Sequence, residues 1–398
     1  MPDDDAPLSP PPSAPPSVGD VRGILAGVLD PELNVGIVDL GMVKDISVDP
    51  TGAVRVKVAL TTAACPLRGQ IATDVKSKVA GLPGVTSVDV DYGEMTQDER
   101  STLMQRARLH AQQQAPATEV PATTRVIAVG SGKGGVGKSS VTANLAAALA
   151  TRGFTVGVLD ADIWGFSIPR MLGVRGRLAG TKTPAGKGKI VPHEIALGAG
   201  RLRIVSMGLL VEDEDSALMW RGLILAKALE QFLLDVEWGD LDYLLIDMPP
   251  GTGDIQMALS RLLPQTEMMV VTTPARGAQK VAARVADMAR RSYMKVLGVV
   301  ENMSEFVAPD GSRHAIFGEG GGRRLSKLTG APLVGLVPIE TAVSEGGDHG
   351  RPVVVDAPES ASAQALSAIA DRIVTELLPP VEMAGCTARI FELAKHPA

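Results

Sequence analysis

Aromatic residues are scarce in this chain: Phe, Tyr and Trp make up 3% of its 398 residues. So low a fraction argues against a surface on which nucleic-acid bases stack in succession. Only two cysteines are present, Cys65 and Cys386, too few for a disulfide framework, and a reducing compartment is the simpler reading. Positive charge is not in excess. The formal net charge is −6, so no global basic field draws the chain to nucleic acid or to an anionic membrane. No apolar run approaches the length of a membrane span. The acidic start, Met1-Pro2-Asp3-Asp4-Asp5, lacks the apolar centre of a signal peptide. These absences lead to the expectation of a cytoplasmic protein with no nucleic-acid and no membrane partner.

What the chain does have is a concentration of glycine at Gly130-Ser131-Gly132-Lys133-Gly134-Gly135-Val136-Gly137-Lys138-Ser139. From Gly132 through Ser139 this fits the G-x-x-x-x-G-K-S phosphate loop. Glycines let successive backbone N–H groups turn inward around an anion, and the helix that follows aims its positive end at the same point. Lys138 supplies a mobile cation for the β- and γ-phosphates, and the Ser139 hydroxyl is placed to ligate Mg²⁺. Arg125–Val129 reads as a buried strand before the loop. Val141, Leu145 and Leu149 recur at helical spacing after it, until Gly153 stops the helix. The nucleotide-binding stretch is expected to run from Gly132 to Ser140, and ATP with Mg²⁺ is the expected ligand.

The rest of the chain divides by composition. Residues 1–17 are rich in Pro, Ser and Ala after an acidic cluster and are expected to form a disordered tail. Residues 18–94 read as a small α-β-β-α-β domain. In it Val21, Ile24, Leu25 and Val28 share a helical face, strands are predicted at Met42–Val48, Ala53–Leu60 and Val85–Val90, and a helix at Arg68–Val79. Asp30 and Glu32 read as turn and cap residues. Pro66 suits the first position of the second helix, which places Cys65 at its cap. A thiol there has its thiolate favoured, while the ordinary alternative is a small buried hydrophobe. Residues 95–122 hold a polar stretch with a short helix and read as a linker.

From residue 123 to about residue 380, apolar strand-like runs alternate with helical patterns. Continuous apolar runs mean strands covered on both faces, hence a doubly wound, mostly parallel α/β sheet. Its ligands bind at the carboxyl ends of the strands. Two strands there end in aspartate: Asp160-Ala161-Asp162 after the second, and Asp247-Met248-Pro249-Pro250-Gly251 after the fourth. Asp247 is the expected Mg²⁺ carboxylate, Asp160 shares that shell, and Asp162 orients the attacking water. Residues 381–398 read as a docked or frayed tail, with Cys386 an incidental residue.

The second lysine of the loop, Lys133, makes a K-G-G-x-G-K-S form that resembles the deviant phosphate loops of the MinD/ParA/nitrogenase-iron-protein class. Within it, Asp160–Gly165, Trp220-Arg221-Gly222, Asp247–Asp254, Glu301-Asn302-Met303-Ser304 and Ile316–Gly322 are similar to the Mrp/ApbC iron–sulfur cluster carrier ATPases. Residues 18–94 resemble the SufT-like assembly domain, with Asp39 and Cys65-Pro66 at its marked positions. The resemblance implies a homodimer closed by ATP, with Lys133 reaching the partner's nucleotide and taking part in catalysis beside Lys138 and Asp162. It places the adenine on Asn302 and the backbone near Pro338. It implies an iron–sulfur cluster, with client apoproteins and assembly factors as partners. One departure stands out: Ala308 and Gly311 occupy the positions of the family's C-x-x-C, and neither has a ligating atom. That leaves Cys65 for contact with a cluster. A MinD/ParA-like positioning ATPase that carries no cluster is the competing reading.

Overall fold

The computed structural model describes residues 14–31, 35–61, 67–162, 165–182, 188–210, 222–251, 253–308 and 310–380. The chain separates into two units, Met1–Gln114 and Ala115–Ala398.

The first unit is built from α1 (Val18–Leu25), β1 (Val43–Val48), β2 (Ala53–Leu60), α2 (Arg68–Ala80), β3 (Ser87–Glu94) and α3 (Gln97–Gln114). Ser17 and Asp20 form a reciprocal cap at the start of α1, satisfying backbone donors that the helix leaves open. β1 and β2 pair antiparallel across the Asp49 turn, and β3 adds parallel to β2. Alternate residues of β2 are buried, Val54, Val56 and Val58, as are Ile71, Val75 and Val79 of α2, spaced four apart on one helical face.

Two features differ from the sequence reading. α2 starts at Arg68, where its periodicity predicts, with Leu67 in its cap position, so Pro66 is not its first residue. The first helical bond is Ile71 N–H to the Leu67 carbonyl, at 3.1 Å, so the cap position belongs to Leu67 and not to Cys65. Cys65 itself, with Glu32, lies outside the described residues. The stretch read as linker is mostly the 18-residue α3. It belongs to this unit because Leu103 and Ala107 are buried, Glu99 pairs with Lys44 at 2.9 Å, and Arg106 donates to the Asp39 carbonyl at 3.3 Å. Its composition is mostly polar, which hides the buried face in the sequence.

The second unit runs β4 (Arg125–Ser131), α4 (Lys138–Thr151), β5 (Thr155–Asp160), α5 (Ile168–Met171), β6 (Ala179–Lys182), β7 (Gly188–Val191), β8 (His193–Leu197) and β9 (Gly200–Ser206). It continues with α6 (Gly222–Asp235), β10 (Tyr243–Asp247), α7 (Gly253–Leu262), β11 (Glu267–Thr272), α8 (Arg276–Arg291), β12 (Lys295–Val307), β13 (Arg313–His314), α9 (Gly321–Thr329) and β14 (Leu333–Ile339). Three helices close it: α10 (Thr341–Asp348), α11 (Val353–Asp356) and α12 (Ala361–Arg372). The main sheet has the order β13-β12-β11-β4-β10-β5-β9-β8, with β14 also on β12. Only β8 on β9 and β13 on β12 are antiparallel. This is the doubly wound, mostly parallel α/β sheet expected.

From β4 the chain crosses to β5 in one direction, and later to β11 and β12 in the other. The carboxyl ends of β4 and β10 are therefore the point where strand order reverses, the usual place for a ligand. α4 leaves from that point. Its residues 141–150 are all buried, and five alanines among them let the helix lie close between the sheet and α12. On the opposite layer, Phe232, Trp238 and Leu244 fill the core beneath α6 and α7. Among the described residues no helix is long and apolar enough to cross a membrane.

Candidate functional site

The phosphate loop joins β4 to α4, and its shape depends on missing side chains. A Cβ on Gly132 would strike the backbone of Val281 in α8, and one on Gly137 would strike the Asn302 amide. Gly135 and Gly137 both sit at φ +78°, a region costly for any residue with a side chain. Nothing lies within 4 Å of the side-chain positions of Gly134 and Gly135, so the loop's outer face is open to a ligand.

Beneath the loop is a buried polar knot. Lys138 Nζ donates to Asp247 Oδ2 at 2.6 Å, and Ser139 Oγ donates to the same oxygen at 2.6 Å. The Thr142 hydroxyl lies 2.8 Å from the other carboxylate oxygen, Oδ1. Asp162 Oδ2 stands 3.9 Å from the same Lys138 ammonium. Strand register brings the second carboxylate close, since Asp247 is the direct partner of Asp160 across β10 and β5. Both are fully buried.

Asp160 is held by donors on every side: Asp162 N–H at 3.2 Å, Ser167 N–H at 3.1 Å, Ile168 N–H at 3.2 Å and Ser206 Oγ at 3.2 Å. Burial, then the neighbouring Asp247 charge, push its carboxyl up to about 7. Two adjoining buried carboxylates served by one lysine need more positive charge than the protein provides. Hard oxygen donors of hydroxyl and carboxylate type suit Mg²⁺, so Ser139 and Asp247 fit the ion that the motif implies. In this arrangement Asp160 also anchors the backbone leading into α5.

Asn302 and Met303 approach the loop from β12. The Asn302 side-chain amide donates to the Val136 carbonyl at 2.9 Å, fixing the loop from outside. Met303 holds a positive φ of 55° and its methyl faces Gly137. A non-glycine residue in that region marks a place where the surroundings impose the backbone. Pro338, the other residue assigned to the adenine, lines a cavity of about 630 Å³ with Glu301, Ser304, Arg313, Arg324 and Leu336. Its carbonyl accepts from the Ser362 hydroxyl at 3.0 Å. Lys133 is exposed on the rim of the loop and makes no ion pair among the described residues.

The positions of the missing cysteines form a self-sufficient hairpin. β12 and β13 pair through Phe306 with His314 and Val307 with Arg313. Ala308 N–H donates to the Ser312 carbonyl at 2.9 Å, and Gly311 N–H donates to the Ala308 carbonyl at 2.8 Å. Gly311 has φ +84°, a turn requirement that explains the glycine. No thiolate enters, and among the described residues no group of three or more His, Cys, Asp or Glu is placed to hold a metal ion. The hairpin does not fit an iron–sulfur cluster. Cys386, Trp220, Arg221 and the Ile163-Trp164 pair lie outside the described residues.

Sequence reasoning passed over Thr142, Ser206 and Met303. For Thr142 a signal existed: a polar residue one turn after the loop lysine, inside a helical run that is apolar from 141 to 150 apart from it and Asn144. Ser206 and Met303 gave none.

A family model described as NUBPL iron-transfer P-loop NTPase matches residues 122–374, and one described as iron-sulfur cluster assembly protein matches residues 19–90. The iron-sulfur cluster carrier protein of Mycobacterium tuberculosis is 43% identical over 362 residues, covering 89% of this chain and 92% of that protein. The protein of the same name from Synechocystis is 42% identical over 355 residues, covering 89% and 96%. Among solved structures, a nucleotide-binding protein in complex with ADP from Archaeoglobus fulgidus is 36% identical, covering 57% of this chain and 86% of that one, with a TM-score of 0.48. A phosphate loop complete in every fixed position, in a chain matched along most of its length by one family, leads to one conclusion: the protein belongs to the NUBPL iron-transfer P-loop NTPases and is an ATPase.

Proposed function

We propose that the protein is a cytoplasmic iron–sulfur cluster carrier in which ATP gates a homodimer. The observation that carries this reading is the buried Lys138–Asp247 pair, 2.6 Å apart beneath an open glycine loop, in a member of an iron-transfer family. Lys138 and Ser139 both donate hydrogen bonds to Asp247 Oδ2. An arriving triphosphate competes for them. The N–H groups from Gly132 to Ser140 cradle its oxygens, Lys138 turns to the β- and γ-phosphates, and Asp247 Oδ2 is released. Ser139 and Asp247 would hold Mg²⁺, which neutralises charge on the phosphate oxygens when bound, and Asp160 shares the same buried shell. Asp162, beside Lys138, orients the water. Lys133 is free to reach a partner subunit's nucleotide, which would tie hydrolysis to dimer closure.

The relatives' name supports a cluster as cargo for client apoproteins. The hairpin at Ala308 and Gly311 offers it no ligand, which leaves Cys65 as the residue for contact with a cluster. Anaerobic reconstitution with iron and sulfide, followed by absorption spectra and metal counting, tests this. Wild type takes up iron and loses it in Cys65→Ser; equal iron in both would dismiss the role of Cys65. The missing C-x-x-C favours a second reading, a nucleotide switch with no cluster. Steady ATP turnover with no iron retained by wild type would establish it.

A further inference from the structure

Asp247 has two carboxylate oxygens with different company. Oδ2 receives Lys138 and Ser139, the two side chains that a bound nucleotide and its metal recruit. Oδ1 has one side-chain partner among the described residues, Thr142, at 2.8 Å. When nucleotide binds, Lys138 turns to the phosphates, and among the described residues the Thr142 contact is the one side-chain hydrogen bond on this carboxylate that involves neither the nucleotide nor its metal.

Thr142 is fully buried, within a helix whose residues 141–150 are otherwise apolar except Asn144. For packing alone, valine would serve that position as well. A helical threonine ordinarily gives its proton to the carbonyl four residues back, and the Lys138 carbonyl is indeed 3.0 Å away. The hydroxyl has one proton to give. The carboxylate is the nearer acceptor, and a charged acceptor makes the stronger bond. Both ends of the contact are rigid, Thr142 on the first turns of α4 and Asp247 at the last position of β10. The bond therefore sets the plane of the carboxylate, and with it the direction in which Oδ2 points after Lys138 has left.

We propose that Thr142 is a positioning residue for Mg²⁺: its hydroxyl locks the Asp247 carboxylate so that the oxygen released by Lys138 faces the metal beside Ser139. This rests on the reading of Asp247 as the Mg²⁺-side carboxylate. Without the hydroxyl, the carboxylate rotates about its last bond, and the ion meets a site that has to be ordered first.

The test measures binding rather than turnover. A fluorescent ADP analogue is titrated into the full-length protein at a series of Mg²⁺ concentrations, with EDTA as the metal-free arm. Thr142→Val keeps the shape and removes the proton donor, while Thr142→Ser keeps the donor. The expected result is a roughly tenfold higher Mg²⁺ midpoint for Thr142→Val, equal to loss of about one good hydrogen bond to a charged group. Nucleotide affinity in EDTA stays unchanged, and Thr142→Ser returns the midpoint to within about twofold of wild type. Asp247→Asn run alongside separates the two layers of the argument. If it raises the midpoint and Thr142→Val does not, the positioning role is refuted while the Asp247 reading survives. If Asp247→Asn leaves the midpoint alone, both fall. A Thr142→Val protein that loses affinity equally in EDTA, or a Thr142→Ser protein as impaired as Thr142→Val, has a packing fault and refutes the proposal.

Discussion

Asp160 and Asp247 are register partners on adjacent parallel strands, and the Lys138 ammonium 2.6 Å from Asp247 is the cation that serves them both. Such a pair holds a proton more tightly folded than unfolded. The Asp160 carboxyl is raised from 3.8 to about 7, so the folded state binds more protons between those two values. Its contribution to stability is complete below pH 4 and is lost as pH rises through about 7. The nucleotide-free protein should therefore lose stability, by on the order of a few kcal/mol, from pH 4.5 to 7.5. Glu99, lowered to about 2 by Lys44 and the Thr96 cap, acts with the opposite sign but only at more acid pH. Urea denaturation across that window checks the slope. Asp160→Asn should flatten it whatever its absolute stability, and an unchanged slope would place the titration elsewhere.

Lys138 follows from the same geometry. Replacing it by methionine leaves two buried carboxylates with no cation and removes the group that meets the phosphates. Turnover should drop to background. Breaking a buried ion pair costs about 3 kcal/mol, so the melting midpoint should fall measurably as well. A variant that still hydrolyses ATP at wild-type rate would place the phosphates somewhere other than this loop.

How much of this was readable beforehand depended on how local the signal was. The loop, its strand and its helix carry their own grammar, so Gly132 to Ser139, Asp160 and Asp247 were all named from the chain. Alternating strands and helices declared the sheet. What escaped was decided by tertiary neighbours. Asp160 came out of sequence as a metal-shell carboxylate, yet Ser206 and the backbone of Ser167 and Ile168 also make it a loop anchor. Asn302 was assigned to the base, and the structure seats it on Val136. α3 went unrecognised as part of the first unit because polar residues dominate its sequence and interrupt the apolar face that carries the buried Leu103 and Ala107.

Asn302 thus presents two roles that one experiment separates. Its amide satisfies the carbonyl of Val136, a residue only 4% exposed. Asn302→Ala orphans that carbonyl, at about 1–3 kcal/mol, and loosens the loop. Affinity for ATP should weaken roughly tenfold. Inorganic tripolyphosphate, which has no base, is the informative competitor. If Asn302 works through the loop, tripolyphosphate binding weakens in parallel. If it works through the adenine, tripolyphosphate binding is untouched.

The hairpin makes the opposite kind of claim, that a position marked in the family has become purely structural. Gly311 stands at φ +84°, where a side chain costs about 1 kcal/mol, and its N–H closes the turn on Ala308. Gly311→Ala should lower stability by about that amount while leaving the iron content of reconstituted protein unchanged. Cys65→Ser, in the same reconstitution, should do the reverse, lowering iron with the fold intact. Iron that falls in Gly311→Ala and not in Cys65→Ser would return the cargo to the hairpin, against the chemistry of a turn that has no thiolate to offer.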